Sequence, residues 1–529
     1  MRLSELIESI NGVPVYAAKR RSGEKKAAET EITGISDDSR YIGRGEAFFA
    51  LGGGSADGRD FAAEAARKGA AAIVAETPVD LSGTENPPPQ ILVKDAREAI
   101  ALAACAFYGN PAKKMRVAGV TGTNGKTTVT YLLASVFEAA GEKTGIIGTT
   151  GIFYGGTRID PELTTPDPVF LQKTLADMAK QGVTFVAMEV SAHAVWYKKT
   201  AGIPFAAKIF TNFSQDHLDF FGNMQTYRKT KERFFFPETG KAEGEPADVA
   251  EENKTEDASG DKANGGIFVV GTDDETGKKI ADEAKKRRIK TLTYGLENPS
   301  DVFAVITDES VSGSKFLLNL SDELCRVTLR LAGRHNIYNA LAAAGCAFAL
   351  GAPPKAVAEG LKNAVLPKGR LQRVRGVNGA EIFVDFAHTP DGLDKSLETL
   401  KPLCKGRLYC LFGCGGNRDR GKRAQMGAVA AKKADFSYLT SDNPRYEDPS
   451  DIIREIETGY RRFSENYAVL TDRKKAIFYA VKFLKKGDIL LIAGKGGEET
   501  QEIMGIRYEY DDVKTAEEAV EARKRGETD

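Results

Sequence analysis

The segment GVTGTNGKTT, Gly119 to Thr128, lies between an apolar strand-like run and an Ala-rich helix-like run. A glycine-rich turn in that place points backbone N–H groups and a helix N-terminus at phosphates. Lys126 would then reach the terminal phosphates, and the Thr127 hydroxyl would ligate Mg²⁺. Gly122, Thr123, Asn124, Gly125 and Thr128 complete the candidate nucleotide loop. The spacing departs from G-x-x-x-x-G-K-[ST], because Val120 stands where the first glycine belongs, and this departure points to a different subclass of loop. Further on, FVAMEVSAHAV carries Glu189 at the end of an apolar strand. A carboxylate delivered there, beside a phosphate loop, is placed to hold Mg²⁺.

The elements that must position these groups follow from the pattern of the chain. Short β-branched runs alternate with Ala-rich amphipathic segments, the signature of α/β units with mostly parallel sheets. At roughly 150 residues per domain, 529 residues predict three or four domains. The helix AREAIALAACAFYG ends at Asn110–Pro111, which is a natural boundary. A second unit opens with the strand MRVAGVTG and closes near Pro367 and Gly369; a third begins with EIFVDFAH and continues through GRLYCLFGC, DFSYLTSD and DILLIAG. The expected domains are therefore 1–111, 112–366 and 367–529. Pro237 to Gly266 lacks apolar periodicity and is rich in Glu, Asp, Lys and Gly, so it reads as a flexible surface insertion.

Composition narrows the classes of function. Lys+Arg and Asp+Glu both number 74, so no basic excess argues for nucleic acid as a partner. Six cysteines without a C-x-x-C pair suit reduced thiols, not a disulfide scaffold or a zinc site. Glu5 and Glu8 interrupt the first apolar stretch, so it is no signal peptide, and no apolar run nears the roughly 18 residues of a membrane span. The expectation is a cytoplasmic monomer acting on small molecules, with no nucleic acid or membrane partner.

GTNGKTT resembles the nucleotide loop of the Mur ligase and folylpolyglutamate synthase superfamily. The chain has four histidines, His193, His217, His335 and His388, and each falls in a block similar to one of that superfamily, in the same order. These blocks are FVAMEVSAHAV, FTNFSQDHLDFFGNMQTYRKTKERFF, AGRHNIYNALAAA and VDFAHTPD. A lone histidine is more often a core or surface residue; four in order are hard to assign to chance. FGCGGNRDRGKR, SDNPRYEDP and AGKGGEETQ resemble the Mur branch that adds meso-diaminopimelate to a UDP-muramoyl dipeptide, and GISDDSRYIGRGEAFFALGGGSADGRDF looks like its UDP-binding domain.

The resemblance implies an α/β protein of three domains: a UDP-sugar-binding domain, a central P-loop-type ATPase domain with a mainly parallel sheet, and a Rossmann-like C-terminal domain that binds the amino acid. It implies an ATP-dependent ligase that joins diaminopimelate to the D-glutamyl γ-carboxylate through an acyl phosphate, for peptidoglycan synthesis. An L-lysine-adding muramyl ligase or another Mur-type amino acid ligase is the alternative, and the folate enzyme is disfavoured by the N-terminal block. Lys126, Glu189, His217 and Lys231 are implied as catalytic. Thr127, Glu189, His217 and Lys231 are implied as Mg²⁺ ligands, with Lys231 carbamylated to N6-carboxylysine, since an ammonium would repel a cation whereas a carbamate oxygen suits hard Mg²⁺.

Asn336 is implied to contact adenine and Asn339 to organise the turn, although a helix cap stays open for Asn339. Asp385 and His388 are implied to face the nucleotide, with Arg370 a phosphate clamp at the domain junction. The muramoyl side would use Ser39, Thr164, Thr165, Ser191, Tyr197 and Lys199. Diaminopimelate would meet Arg418, Asp442, Asn443, Arg445, Gly494 and Glu498; the rival role for Arg445 is a surface pair with Glu447 or Asp448. Departures from the usual family pattern are Gly54–Ser55, Ala192, Tyr197, Lys199, Phe386 and Gly497.

Overall fold

Along the strands, alternate residues enter two different cores, so each of the large sheets is covered on both faces. Ala47 and Phe49 pack on one side of the N-terminal sheet and Phe48 on the other. Phe185 and Ala187 face one side of the central sheet, Val186 and Met188 the opposite side. Phe383 and Leu491 oppose Ile382 and Leu490 in the same way. The computed structural model describes residues 1–15, 29–53, 57–160, 162–237 and 266–527. Apart from Pro237 and Gly266, the expected insertion lies outside the described residues, as do Gly54 and Ser55.

Three large sheets follow one another along the chain. The first has five strands, from Val13–Val15 to Gln90–Leu92, and all its pairings are parallel except that between those two strands. The second has eleven, with Arg116–Thr121 between Phe185–Glu189 and Phe205–Phe210 in its parallel centre. Antiparallel strands extend it at both edges, Gly151–Tyr154 and Thr157–Ile159 on one side and Gly313–Leu320 and Glu323–Leu329 on the other. The third has six strands, parallel except for Gln372–Val374 at its edge. The fold is thus mixed α/β with mostly parallel sheets. No helix among the described residues is long and apolar enough to cross a membrane.

The parallel centres decide where chemistry can happen, because ligands of such sheets bind beyond the carboxyl ends of the strands. In the central sheet those ends deliver Thr121, Glu189, Phe210, Gly271 and Gly295 to one side. In the third sheet they deliver Asp385, Phe412, Leu439 and Ala493. The helices Lys126–Ala139 and Arg334–Ala349 close over the central sheet, burying Leu132, Val136, Ile337 and Leu341 against it.

Candidate active site

The phosphate loop is shaped by two glycines that no other residue could replace without strain. Gly122 has φ +143° and a Cβ there would lie 1.9 Å from Thr211 Oγ1; Gly125 has φ +87° and its Cβ would lie 2.3 Å from Asn339 Oδ1. Asn124 N donates to Asn212 Oδ1 at 3.0 Å, and Thr211 Oγ1 donates to the Asn124 carbonyl at 2.6 Å. Lys126 folds back onto its own loop, its Nζ donating to the carbonyls of Gly122 and Thr123 at 3.0 and 2.9 Å. Burial holds that ammonium below its ordinary pKa, while Glu189 and Asp216 favour the charge and Arg370 opposes it. Thr123, Thr127 and Thr128 are buried in the loop and first helical turn.

Glu189 is 1% exposed, and its carboxylate accepts from Thr127 Oγ1 at 2.9 Å, Thr149 N at 3.1 Å and Thr149 Oγ1 at 3.1 Å. Lys231, on the helix Met224–Phe235, is equally buried. Its Nζ donates to Gly122 O at 2.9 Å and lies 4.6 Å from the Tyr227 ring. Burial first, and then Lys126, drive its pKa well below the usual value, with Asp216 pulling the other way. His217 stands edge-on to His193 with ring centres 4.9 Å apart, 3.3 Å from the Asp216 carboxylate.

These groups line one cavity of about 870 Å³ together with Asn336, Asn339, Arg370, Asp385 and His388. Asn336 donates to Ala332 O at 2.8 Å and accepts from Asn339 Nδ2 at 3.1 Å, so Asn339 is a brace between Asn336 and Gly125 and not a helix cap. Asp385 reaches the cavity wall, yet its oxygens accept from Leu371 N, Ala387 N and Ser396 Oγ at 2.7, 3.1 and 2.9 Å. Burial raises its pKa, and these bonds and Arg370 oppose the rise. The Arg370 guanidinium lies 4.8 Å from the Phe386 ring centre.

The same cavity collects Thr164, Thr165, Ser191, Tyr197 and Lys199. Thr165 Oγ1 donates to Glu189 O at 2.9 Å and accepts from Ser191 N at 3.1 Å, tying this wall to the acidic strand end. Lys199 pairs with Asp167 at 2.7 Å. Ser39 stands apart: it belongs to the first sheet unit, donates to Glu64 Oε2 at 3.3 Å, and does not line the cavity. Asp37, two residues away, does lie near Lys199 and Asp167, whose charges act on its carboxyl in opposite directions; burial raises the pKa of that carboxyl.

The candidate acceptor residues form a second cluster, at the carboxyl ends of the third sheet, and none lines the cavity. Asn443 Nδ2 donates to Glu498 Oε2 at 2.8 Å, and buried Lys495 donates at 2.8 Å to both Asn443 Oδ1 and Glu498 Oε2. Gly494, φ +115°, leaves room for Asp442, whose Oδ2 would be 2.6 Å from a Cβ. Gly415 does the same for two arginines, since a Cβ there would meet Arg445 Nη1 at 3.0 Å and Arg418 Cγ at 3.7 Å. Arg445 donates to Gly416 O at 2.8 Å and pairs with Glu502 at 3.4 Å. The rival surface pairs are replaced by the one with Glu502, since Glu447 is held by Arg423 and Asp448 caps the next helix through Ser450 N.

The donor set fits Mg²⁺ under one condition. Thr127 and Glu189 present hard oxygens beside the loop, but no group of three or more His, Cys, Asp or Glu among the described residues could hold a metal ion. Phosphate oxygens and an anionic Lys231 would have to complete the shell. Sequence reasoning missed Thr149, Thr211, Asn212, Asp216 and Arg97, whose guanidinium stacks 4.5 Å over Tyr197. The polar tail of the strand in FTNFSQD was the available signal for the loop-bracing pair.

Family models match most of the chain: the Mur ligase middle domain over residues 120–243 and 258–347, the Mur ligase glutamate ligase domain over 369–496, and the Mur ligase family catalytic domain over 31–108. The UDP-N-acetylmuramoyl-L-alanyl-D-glutamate–2,6-diaminopimelate ligase of Bacillus licheniformis is 36% identical over 520 residues, 98% of this chain and 99% of the relative. A solved structure of a ligase of that name superposes with TM-score 0.69 and 30% identity over 99% of this chain and 100% of the other. A ligase from Thermotoga maritima solved with ADP shares the fold at 20% identity, TM-score 0.57, over 94% of this chain and 99% of the other.

Proposed function

The chain belongs to the Mur ligase family, and from that premise we propose that it is the ATP-dependent amide ligase that joins meso-diaminopimelate to UDP-N-acetylmuramoyl-L-alanyl-D-glutamate in peptidoglycan precursor synthesis. The observation that carries the reading is the full-length likeness to ligases of that name, 36% identical over 98% of the chain. The spatial arrangement supports it: a nucleotide loop, a buried acidic strand end and a candidate muramoyl-side wall share one cavity, and an Arg/Asn/Glu cluster crowns the neighbouring sheet. Residues 1–111, 112–366 and 367–529 would then serve the UDP-sugar, ATP and the amino acid, in a cytoplasmic monomer.

A carboxylate is a poor electrophile, so the D-glutamyl γ-carboxylate first attacks the terminal phosphoryl group of ATP, giving an acyl phosphate and ADP. The diaminopimelate amine then attacks the acyl carbon, phosphate leaves, and the nitrogen gives up a proton. Lys126 and the N–H groups at the start of helix Lys126–Ala139 would hold the phosphates, with Arg370 opposite them across the domain junction. Thr127, Glu189, His217 and a carbamylated Lys231 would hold Mg²⁺, which when bound supplies neutralisation of the charge on the transferring group. Thr165 and Ser191 orient the wall against which the carboxylate approaches. Asn443 and Glu498, set by Lys495, would take the distal ammonium, and Arg445 and Arg418 a distal carboxylate.

The test is phosphate release from ATP with the UDP-muramoyl dipeptide, with and without diaminopimelate or lysine. Release that needs both the dipeptide and diaminopimelate is expected. Release with another acceptor alone would overturn the assignment.

A further inference from the structure

Asp391 sits in the first turn of the helix Pro390–Leu400, on the third sheet unit. Its Oδ2 accepts from three donors: Asn124 Nδ2 at 2.8 Å, Ser214 Oγ at 3.0 Å and Lys395 Nζ at 2.9 Å. Two of these come from the central unit, and Asn124 is part of the phosphate loop. Ser214 closes the knot, since its backbone N–H donates to Thr123 Oγ1 at 3.0 Å and its hydroxyl accepts from Asn124 Nδ2 at 3.3 Å. At the other end of the same helix, Thr399 Oγ1 lies 3.1 Å from His335 Nδ1 of the central unit. One helix therefore meets the ATP-side unit at both of its ends.

We infer that Asp391 is a positioning residue, a latch through which docking of the C-terminal unit sets the phosphate loop. Its side chain is not among the groups that line the cavity, whereas Gly392, Lys395 and Ser396 of the same helix are, so it acts through Asn124 and not on the nucleotide. The backbone of Asn124 is already fixed by Thr211 and Asn212; its side chain is what the latch adds. An ionised carboxylate makes stronger bonds to these donors than a neutral acceptor would. By reciprocity, a nucleotide that prefers the latched loop must also favour the docked C-terminal unit.

A structural role competes with this. A carboxylate in the first turn favours a helix through its macrodipole, and that effect asks nothing of Asn124.

The inference rests on the ligase reading, and the experiment keeps the two apart. Asp391→Ala, Asn124→Ala, the double variant and Asp391→Asn would be compared with wild type in ATP-dependent amide formation, in binding of a fluorescent ATP analogue, and in melting temperature. Asp391→Ala should lower kcat/KM for ATP by about tenfold, with analogue binding weakened and KM for the dipeptide held. The double variant should lose no more than Asn124→Ala alone, and Asp391→Asn, which keeps an acceptor oxygen, should recover most of the loss. Additive losses in the double variant, or Asp391→Ala that binds the analogue and turns over ATP like wild type, would overturn the latch. Wild type that binds the analogue but forms no amide would overturn the ligase reading alone, and the analogue affinities would still decide the latch.

Discussion

Lys126 and Lys231 donate to the same carbonyl oxygen, that of Gly122, at 3.0 and 2.9 Å. Two ammonium groups cannot share so buried a place cheaply, and Lys231, which feels Asp216 alone where Lys126 feels Glu189 and Asp216, is the one that yields. Glu189 supports the charge on Lys126, whereas burial and Lys126 itself drive Lys231 toward its neutral form. A neutral amine is the form that adds CO₂.

The first prediction is therefore that Lys231 carries a carbamate in the active enzyme. ¹³C-labelled bicarbonate should give a carbamate resonance that disappears in Lys231→Ala, and that variant should lose on the order of 100-fold or more in kcat, in part restored by short carboxylates. Full activity in Lys231→Ala would sink the assignment.

Acceptor choice should depend on Arg445. The Arg445 guanidinium is partly exposed and already pairs with Glu502, so a distal carboxylate adds a charge-assisted fork worth about 1.5–3 kcal/mol, and the wild type should prefer diaminopimelate over lysine by about tenfold or more in kcat/KM. Arg445→Ala should narrow that ratio mainly by losing diaminopimelate. A mutant that keeps the full preference clears Arg445 of the role.

Acid should loosen the central unit through His335. Burial first, then the charge of Lys395, lowers its pKa to about 4. A depressed histidine is neutral when folded and takes up a proton when unfolded, so stability is full above about pH 6.5 and falls as pH drops from there toward 4, by at most about 3 kcal/mol. Denaturant midpoints followed between those pH values should decline less in His335→Gln than in wild type. Parallel declines would show that other groups dominate.

Arg473 and Asp512 form a fully buried ion pair, with bonds of 2.8 and 2.7 Å, between the helix Arg473–Phe483 and the helix Asp512–Arg525. Asp512→Ala strands the guanidinium and should destabilise the C-terminal unit by about 3–5 kcal/mol. Urea unfolding followed by a probe in that unit measures it, and a change below about 1 kcal/mol would contradict the prediction.

Local patterns carried far in this chain. The phosphate loop was legible because strand, glycine turn and helix are contiguous, and the strands EIFVDFAH, GRLYCLFGC, DFSYLTSD and DILLIAG form where their apolar runs place them. The three-stranded extension Val302–Leu329 escaped notice because apolar side chains also occupy outward positions, Phe303, Val305 and Leu324 among them, so burial alternates along Val302–Leu320 while the residue types do not. What depends on through-space company was not legible: the shared carbonyl of Lys126 and Lys231, the brace of Asn339 on Gly125, and the separation of Ser39 from the cavity. Arg445 shows both sides, since its motif was readable while its bond partner, Glu502, lies 57 residues on, in a two-stranded hairpin.

The acceptor cluster rests on a core of its own, built from Leu408, Cys410, Phe412, Leu439, Ile453 and Leu491, to which the central unit adds little beyond Ala332 and Val311. The same core holds Ala387 and Leu371 of the cavity wall and Leu393, Leu397 and Leu400 of the helix that carries Asp391, so a substitution that reshapes the pocket for another amine is felt on the ATP side as well. Such a chain is a keyed assembly and not a set of interchangeable parts. Lineages that retool the incoming building block at the third sheet must keep the shape of that one helix, or the energy-coupling step loses its setting along with the old amine.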